Sequence, residues 1–371
     1  MKLLDLPDDA SDKEKVDAYT LFVSELYKTG AESLSDYVKR IVFESENIYV
    51  KIKGKGEIPS GVLEKSLNED LKNFDEVDSI SADALCSEFD FLPGYYTEKY
   101  SISKEYIKRL DKIHKYGYGI YSKYRMFYIA EDGEILPVQN PDETNLSDLI
   151  AYEREQKVIL DNTKALLEGL PAANILLTGD AGTGKSSTVK AVVNELCDNG
   201  LRILEVRKEQ LHAIPKILDE LNSNPLKFIL FIDDLSFTKD DDNFSSLKAI
   251  LEGSVSAKSN NVVIYATSNR RHLVKENFSD REGDDVHFND TMQELLSLSE
   301  RFGIQLTFNR PDKATYLDIV RNLADKQGIE YDTEKLEASA EKFALKRGTR
   351  SARAAKQFID GIVAGNITDI R

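Results

Sequence analysis

Gly179-Asp180-Ala181-Gly182-Thr183-Gly184-Lys185-Ser186 spells G-x-x-x-x-G-K-S. Glycines at that spacing let successive backbone N–H groups point inward at phosphate oxygens. Lys185 then supplies a point charge for the β- and γ-phosphates, and the Ser186 hydroxyl is placed to ligate magnesium (Mg2+). The context supports the pattern. Asn174 to Thr178 is an apolar run that reads as a buried strand, and Ser187 to Leu196 reads as a helix. That helix, opening at Ser187, turns its positive end toward the same phosphates. A glycine-rich turn without function would need neither the lysine, the hydroxyl nor both flanking elements. The segment predicts a nucleoside triphosphate site.

A second element follows about fifty residues later. Phe228 to Ile232 is a continuous apolar run ending in Asp233-Asp234. Such a run reads as a central parallel strand that delivers carboxylates to the carboxyl edge of a sheet. Asp233 is the candidate for Mg2+, and Asp234 for polarising an attacking water. Asn261 to Ala266 reads as a neighbouring strand that ends in Thr267-Ser268-Asn269. Asn269 would then stand beside the acids, within reach of the water or the γ-phosphate.

Taken in order, these motifs resemble those of AAA+ ATPases. Leu298-Ser299-Glu300-Arg301-Phe302-Gly303 and Gly348-Thr349-Arg350-Ser351-Ala352-Arg353 continue the series. The chain is most similar to a bacterial branch known as a domain of unknown function, on Asp233 to Phe237, Leu247 to Gly253, Tyr265 to Leu273 and Arg350 to Phe358. The resemblance spans roughly residues 146–371. It implies ATP and Mg2+ as cofactors and a sensor-1 role for Asn269. It also implies that Arg301 is an arginine finger acting in trans within a homo-oligomer, and that Arg353 is a sensor-2 residue on a lid helix. Arg350 is the rival for that last role and a second candidate for nucleotide contact. Guanidinium groups suit a phosphoryl group whose charge spreads over several oxygens.

Two departures bear on activity. Many members carry Asp-Glu where this chain has Asp233-Asp234, and the shorter Asp234 reaches less far toward a water. Arg207 to Pro215 has neither the aromatic nor the glycine of a translocating pore loop. The expected function is an assembly-dependent ATPase that remodels or loads a macromolecular partner. The alternative is a slow or non-hydrolysing ATP-dependent switch or scaffold. A small-molecule kinase leaves Arg301 without a role. GTP is disfavoured because Asn309-Arg310-Pro311-Asp312 only faintly echoes a guanine-reading motif.

The elements needed to carry these residues are legible. Strands near 174–178, 201–206, 228–232, 261–266 and 305–309 alternate with helical stretches, which predicts an α/β fold with a parallel sheet covered on both faces. Helical periodicity at Tyr316 to Ala324, Leu336 to Ala344 and Ala352 to Val363 predicts a C-terminal three-helix lid. The expected division is a mainly helical N-terminal region (1–145), an AAA+ nucleotide-binding αβα subdomain (146–311) and the lid (312–371). Within the first, Met126 to Ala130 and Glu134 to Val138 flank an Asp132-Gly133 turn, a hairpin signal. Gln139 to Asp142 reads as a linker.

Bulk properties narrow the setting. A net charge of −16 argues against coating DNA through general electrostatics. Two cysteines, Cys86 and Cys197, cannot build a disulfide framework or zinc cluster. The opening residues lack a signal-peptide core, and no apolar run nears the ~20 residues of a membrane span. The expected setting is cytoplasmic, without membrane contact, with an unidentified protein partner. Residues 95–128 stand out, holding nine of 17 tyrosines and eight Lys or Arg against three acids. That composition suits a platform for single-stranded nucleic acid. It suits rings packed into a core more often.

Overall fold

Hydroxyl and amide side chains set the helix starts in the first part of the chain. The computed structural model describes residues 6–7, 10–86, 89, 91–96, 101–236, 242–252, 260–269 and 299–367. It divides into two units, 1–123 and 124–371. In the first, Ser11, Ser33, Asn47, Ser60 and Ser101 cap helices that begin at Asp12, Leu34, Ile48, Gly61 and Ile102. Each accepts an orphan backbone N–H of the first turn. Tyr19, Val23, Leu26, Leu34, Val38, Ile102 and Tyr106 join in one core. Tyr95, Tyr106, Tyr118 and Tyr121 are all buried. The tyrosine-rich segment therefore places these four rings inside the unit and not on its surface.

The second unit is built on a seven-stranded sheet. Its strands are β1 (Met126–Ile129), β2 (Ile135–Pro137), β3 (Ile175–Gly179), β4 (Leu201–Glu205), β5 (Lys227–Ile232), β6 (Val262–Ser268) and β7 (Ile304–Phe308). The order is β2-β1-β4-β5-β6-β3-β7, and all pairs are parallel except β1 with β2. Phe228, Leu230 and Ile232 are as fully buried as Ile229 and Phe231, so β5 is covered on both faces. The long helix Lys185–Leu196 contributes Val189, Val192, Val193 and Leu196 to the core against Ile175, Leu177 and Ile229. Three C-terminal helices, Lys313–Lys326, Thr333–Arg347 and Ala352–Val363, have a core of their own around Tyr316, Val320, Leu336 and Phe358. The α/β core and the helical lid are the architecture that the AAA+ resemblance implies.

One expectation is corrected. The 126–138 hairpin does not belong to the N-terminal region. It extends the sheet of the second unit, with Met126 paired to Ile203 and Tyr128 to Glu205. Met126, Phe127 and Ile129 are apolar and buried there. A two-stranded hairpin alone is marginally stable, so the free edge of β4 is what orders it. The expected linker is likewise held down. Asn194 donates from Nδ2 to the carbonyls of Asp142 and Thr144, both at 2.8 Å.

Candidate phosphate site at the carboxyl edge of the sheet

β3 ends in the glycine-rich loop, and the loop's course depends on two positions that exclude side chains. Gly179 has φ +135, and a Cβ there would sit 2.1 Å from the Phe308 carbonyl oxygen. Gly182 has φ +78, and a Cβ would meet the Arg353 Cβ at 3.0 Å. Both lie in backbone regions that only glycine adopts freely. Thr183 donates to the Asp180 carbonyl at 2.9 Å, which closes the loop on itself. Ala181 and Ser187 lie in the same segment, and the helix begins at Lys185 rather than Ser187.

Lys185 is 5% exposed. Its ammonium donates to the carbonyls of Gly179 (3.0 Å) and Asp180 (2.8 Å) and to Oδ1 of Asn269 (3.0 Å). Burial pulls its pKa below the usual lysine value, opposed by the carboxylates of Asp233, Asp180 and Asp234. A cation disfavoured by burial gains all the more from an anion set beside it. Ser186 donates to Oδ1 of Asp233 at 2.6 Å. Asn269 donates from Nδ2 to Oδ1 of Asp234 at 2.6 Å. The loop, the Asp-Asp turn and the end of β6 thus meet through side chains that follow the carboxyl ends of three adjacent strands, β3, β5 and β6.

Asp234 has φ +53, in the left-handed region. Asp and Asn enter that region more readily than most residues. Its N–H donates to Oγ1 of Thr267 at 2.9 Å, and Thr267 donates to Oδ1 of Asp233. Sequence reasoning passed over Thr267 as one of several small polar residues at a strand end. Only the position, level with Asp233 on the next strand, could have marked it.

The arginines separate. The backbone N–H of Arg353 donates to the Gly182 carbonyl at 3.2 Å, which brings the start of the last lid helix onto the loop. The Arg353 side chain is exposed. Arg350 instead makes two 2.9 Å bonds to Glu341 within the lid. Arg301 pairs with Glu252 at 2.6 Å. It precedes β7, whose Ile304 lies opposite Ile175, while the loop follows Gly179 opposite Phe308. Arg301 is therefore at the amino edge of the sheet, a strand length from its own loop, roughly 13 Å over four residue steps.

Two further neighbours had no sequence signal. Arg310, in the segment read only as a poor guanine motif, lies 3.9 Å from Asp180. Tyr152 is left-handed, hydrogen-bonds the Asn309 carbonyl and sets its ring 4.8 Å from that of Phe308. Residues 237–241 and 278–288 lie outside the described residues. Leu298 and Arg270 to Leu273 also lie outside them.

The residues suit a phosphate–metal ligand. The loop excludes Cβ atoms at two points, a buried lysine faces three oxygen acceptors, and one hydroxyl–carboxylate pair stands beside it. Among the described residues no group of three or more His, Cys, Asp or Glu could hold a metal on its own. Mg2+ is commonly held by one or two protein oxygens plus substrate phosphates, and Ser186 with Asp233 fits that use.

A family model described as "Protein of unknown function (DUF815)" matches residues 122–366. The chain belongs to this family. The DUF815 match starts just before β1, so it includes the hairpin strands as well as the glycine-rich loop and the three C-terminal helices. No protein with a curated description matches the chain. Among solved structures, the Thermotoga maritima RuvB Holliday junction branch migration motor is similar, at 18% identity and a TM-score of 0.41. The match covers 61% of this chain and 68% of that one. A Thr-to-Val variant of the same motor gives 19% identity, the same coverages and a TM-score of 0.40. These likenesses concern the fold alone. Among the described residues no helix is long and apolar enough to cross a membrane.

Proposed function

We propose that this DUF815 protein is an ATPase whose turnover depends on assembly and drives remodelling or loading of a macromolecular partner. The observation that carries the reading is the convergence at one sheet edge. Lys185, Asn269 and Asp234 form one hydrogen-bonded chain there and Ser186 with Asp233 a second, at 2.6–3.0 Å. Residues 179–187 would hold the phosphates, with Lys185 supplying the charge. Ser186 and Asp233 would hold Mg2+, which neutralises charge on the phosphates when bound. Asp234 would take the proton of the attacking water, and Asn269 would orient that water. Arg353 would reach the γ-phosphate from the lid. Arg301, out of reach of its own loop, would serve the site of a second copy. The remaining partner is an unidentified cytoplasmic protein, with single-stranded nucleic acid as the less favoured candidate.

A second reading has its own observation. Asp234 is one methylene shorter than Glu, and its Oδ1 accepts the Asn269 amide. Those features suit a switch or scaffold that binds ATP, assembles and hydrolyses it slowly. Steady-state ATP turnover measured across protein concentration separates the two. Rate per subunit that climbs with concentration supports the motor. A uniformly negligible rate beside firm ATP–Mg2+ binding supports the switch.

A further inference from the structure

The turn that carries both acids is held by one side chain from the neighbouring strand. The β5–β6 ladder ends with Ile232 opposite Ala266. Beyond that pair the chain leaves the strand, because Asp234 turns left-handed. Thr267 follows it with three bonds. Its carbonyl accepts the Leu235 N–H at 2.7 Å, and its hydroxyl accepts the Asp234 N–H at 2.9 Å. The single hydroxyl proton goes to Oδ1 of Asp233, the oxygen that also accepts from Ser186.

We propose that Thr267 is a positioning residue for phosphoryl transfer, its hydroxyl fixing the Asp233 carboxylate and the left-handed backbone of Asp234 together. This rests on the ATP reading above. A hydroxyl both donates and accepts, which is why one atom can serve a carboxylate and an N–H at once. Valine matches the shape and can do neither. Thr267 is 2% exposed, so water cannot readily replace the lost group. The Asp234 N–H also donates to Oδ1 of Asp233 at 3.1 Å, and without the Thr267 hydroxyl it would turn to that oxygen. That bond would pull Oδ1 of Asp233 toward the backbone and away from Ser186. The metal-side acid and the water-side acid would lose their aim by a single change.

The test uses the full chain with Thr267→Val and Thr267→Ser. Affinity for a fluorescent ATP analogue is measured with Mg2+ and with EDTA, beside kcat, KM and the thermal midpoint. Thr267→Val is expected to keep the EDTA affinity within about twofold, lose most of the Mg2+-dependent gain, and drop kcat by roughly 10²-fold, the cost of a 1 Å misplacement. Thr267→Ser, which keeps the hydroxyl, is expected to restore both. Thr267→Val with the wild-type Mg2+ gain and kcat overturns the proposal, as does Thr267→Ser failing as badly as Val. If Thr267→Val does not fold, Thr267→Ala takes its place with the same expectations. Wild-type protein that does not bind the analogue overturns the ATP reading and this proposal together. Wild-type protein that binds without turning over leaves the Mg2+ gain to decide between valine and serine.

Discussion

Asn269 and Asp234 face each other across adjacent strand ends, with Nδ2 donating to Oδ1 at 2.6 Å. The other end of the same amide accepts from Lys185 at 3.0 Å. One side chain therefore links the phosphate-side cation to the acid that would activate water.

Asp234→Asn should keep ATP–Mg2+ affinity and suppress hydrolysis, because an amide cannot take the water's proton. The loss expected for removing a general base is roughly 10²–10⁴ in kcat. Asp234→Glu should not raise turnover above wild type, although it adds reach. The left-handed backbone at φ +53 favours Asp over Glu. Steady-state kinetics of both variants check this, and a faster Asp234→Glu enzyme would show that length, not backbone, limits the site.

Lys185→Ala should weaken ATP–Mg2+ binding at least tenfold. A charge-assisted hydrogen bond is worth roughly 1.5–3 kcal/mol, and this cation is already disfavoured by burial. Calorimetry on the full chain reads the affinity directly. Unchanged binding would remove the loop from the nucleotide site.

Truncation tests the boundary between the units. A chain of residues 124–371 should fold, since it retains the hairpin and the whole sheet. One beginning at 146 should be less stable and prone to aggregate, because it bares the β4 edge. Phe127→Ala in the full chain should cost about 3–5 kcal/mol by loss of a buried ring. Denaturant melts monitored by circular dichroism compare all three.

The chemistry was more legible in the sequence than its supports. The strands at 174–178 and 228–232 announced themselves because parallel strands buried on both faces are continuous apolar runs, whereas the edge strand at 305–309 showed instead the apolar–polar alternation of one covered face. The 126–138 hairpin was equally visible, but nothing local in it names β4 as the strand it pairs with. Thr267 and Tyr152 were missed for a related reason. A hydroxyl at a strand end and a tyrosine at positive φ take their meaning from neighbours distant in sequence. Arg353 was read ahead of its rival Arg350, and the sequence could not name the partners that the fold gives them, the Gly182 carbonyl for the Arg353 backbone and Glu341 for Arg350.

Arg301 carries the prediction that separates a motor from a monomeric binder. It sits at the amino edge of the sheet and pairs with Glu252, both side chains about a third exposed. Arg301→Ala should leave ATP binding by a single subunit unchanged and remove the activity gained on assembly. A finger supplied in trans is worth on the order of 10³–10⁵ in rate, so the defect should be large. Mixing Arg301→Ala with Asp234→Asn subunits should restore part of the activity, because some sites then combine an intact Asp234 with a neighbour's intact Arg301. Neither variant alone can form such a site. Turnover per subunit that does not change with concentration, from protein that light scattering finds monomeric in ATP, would rule the shared site out.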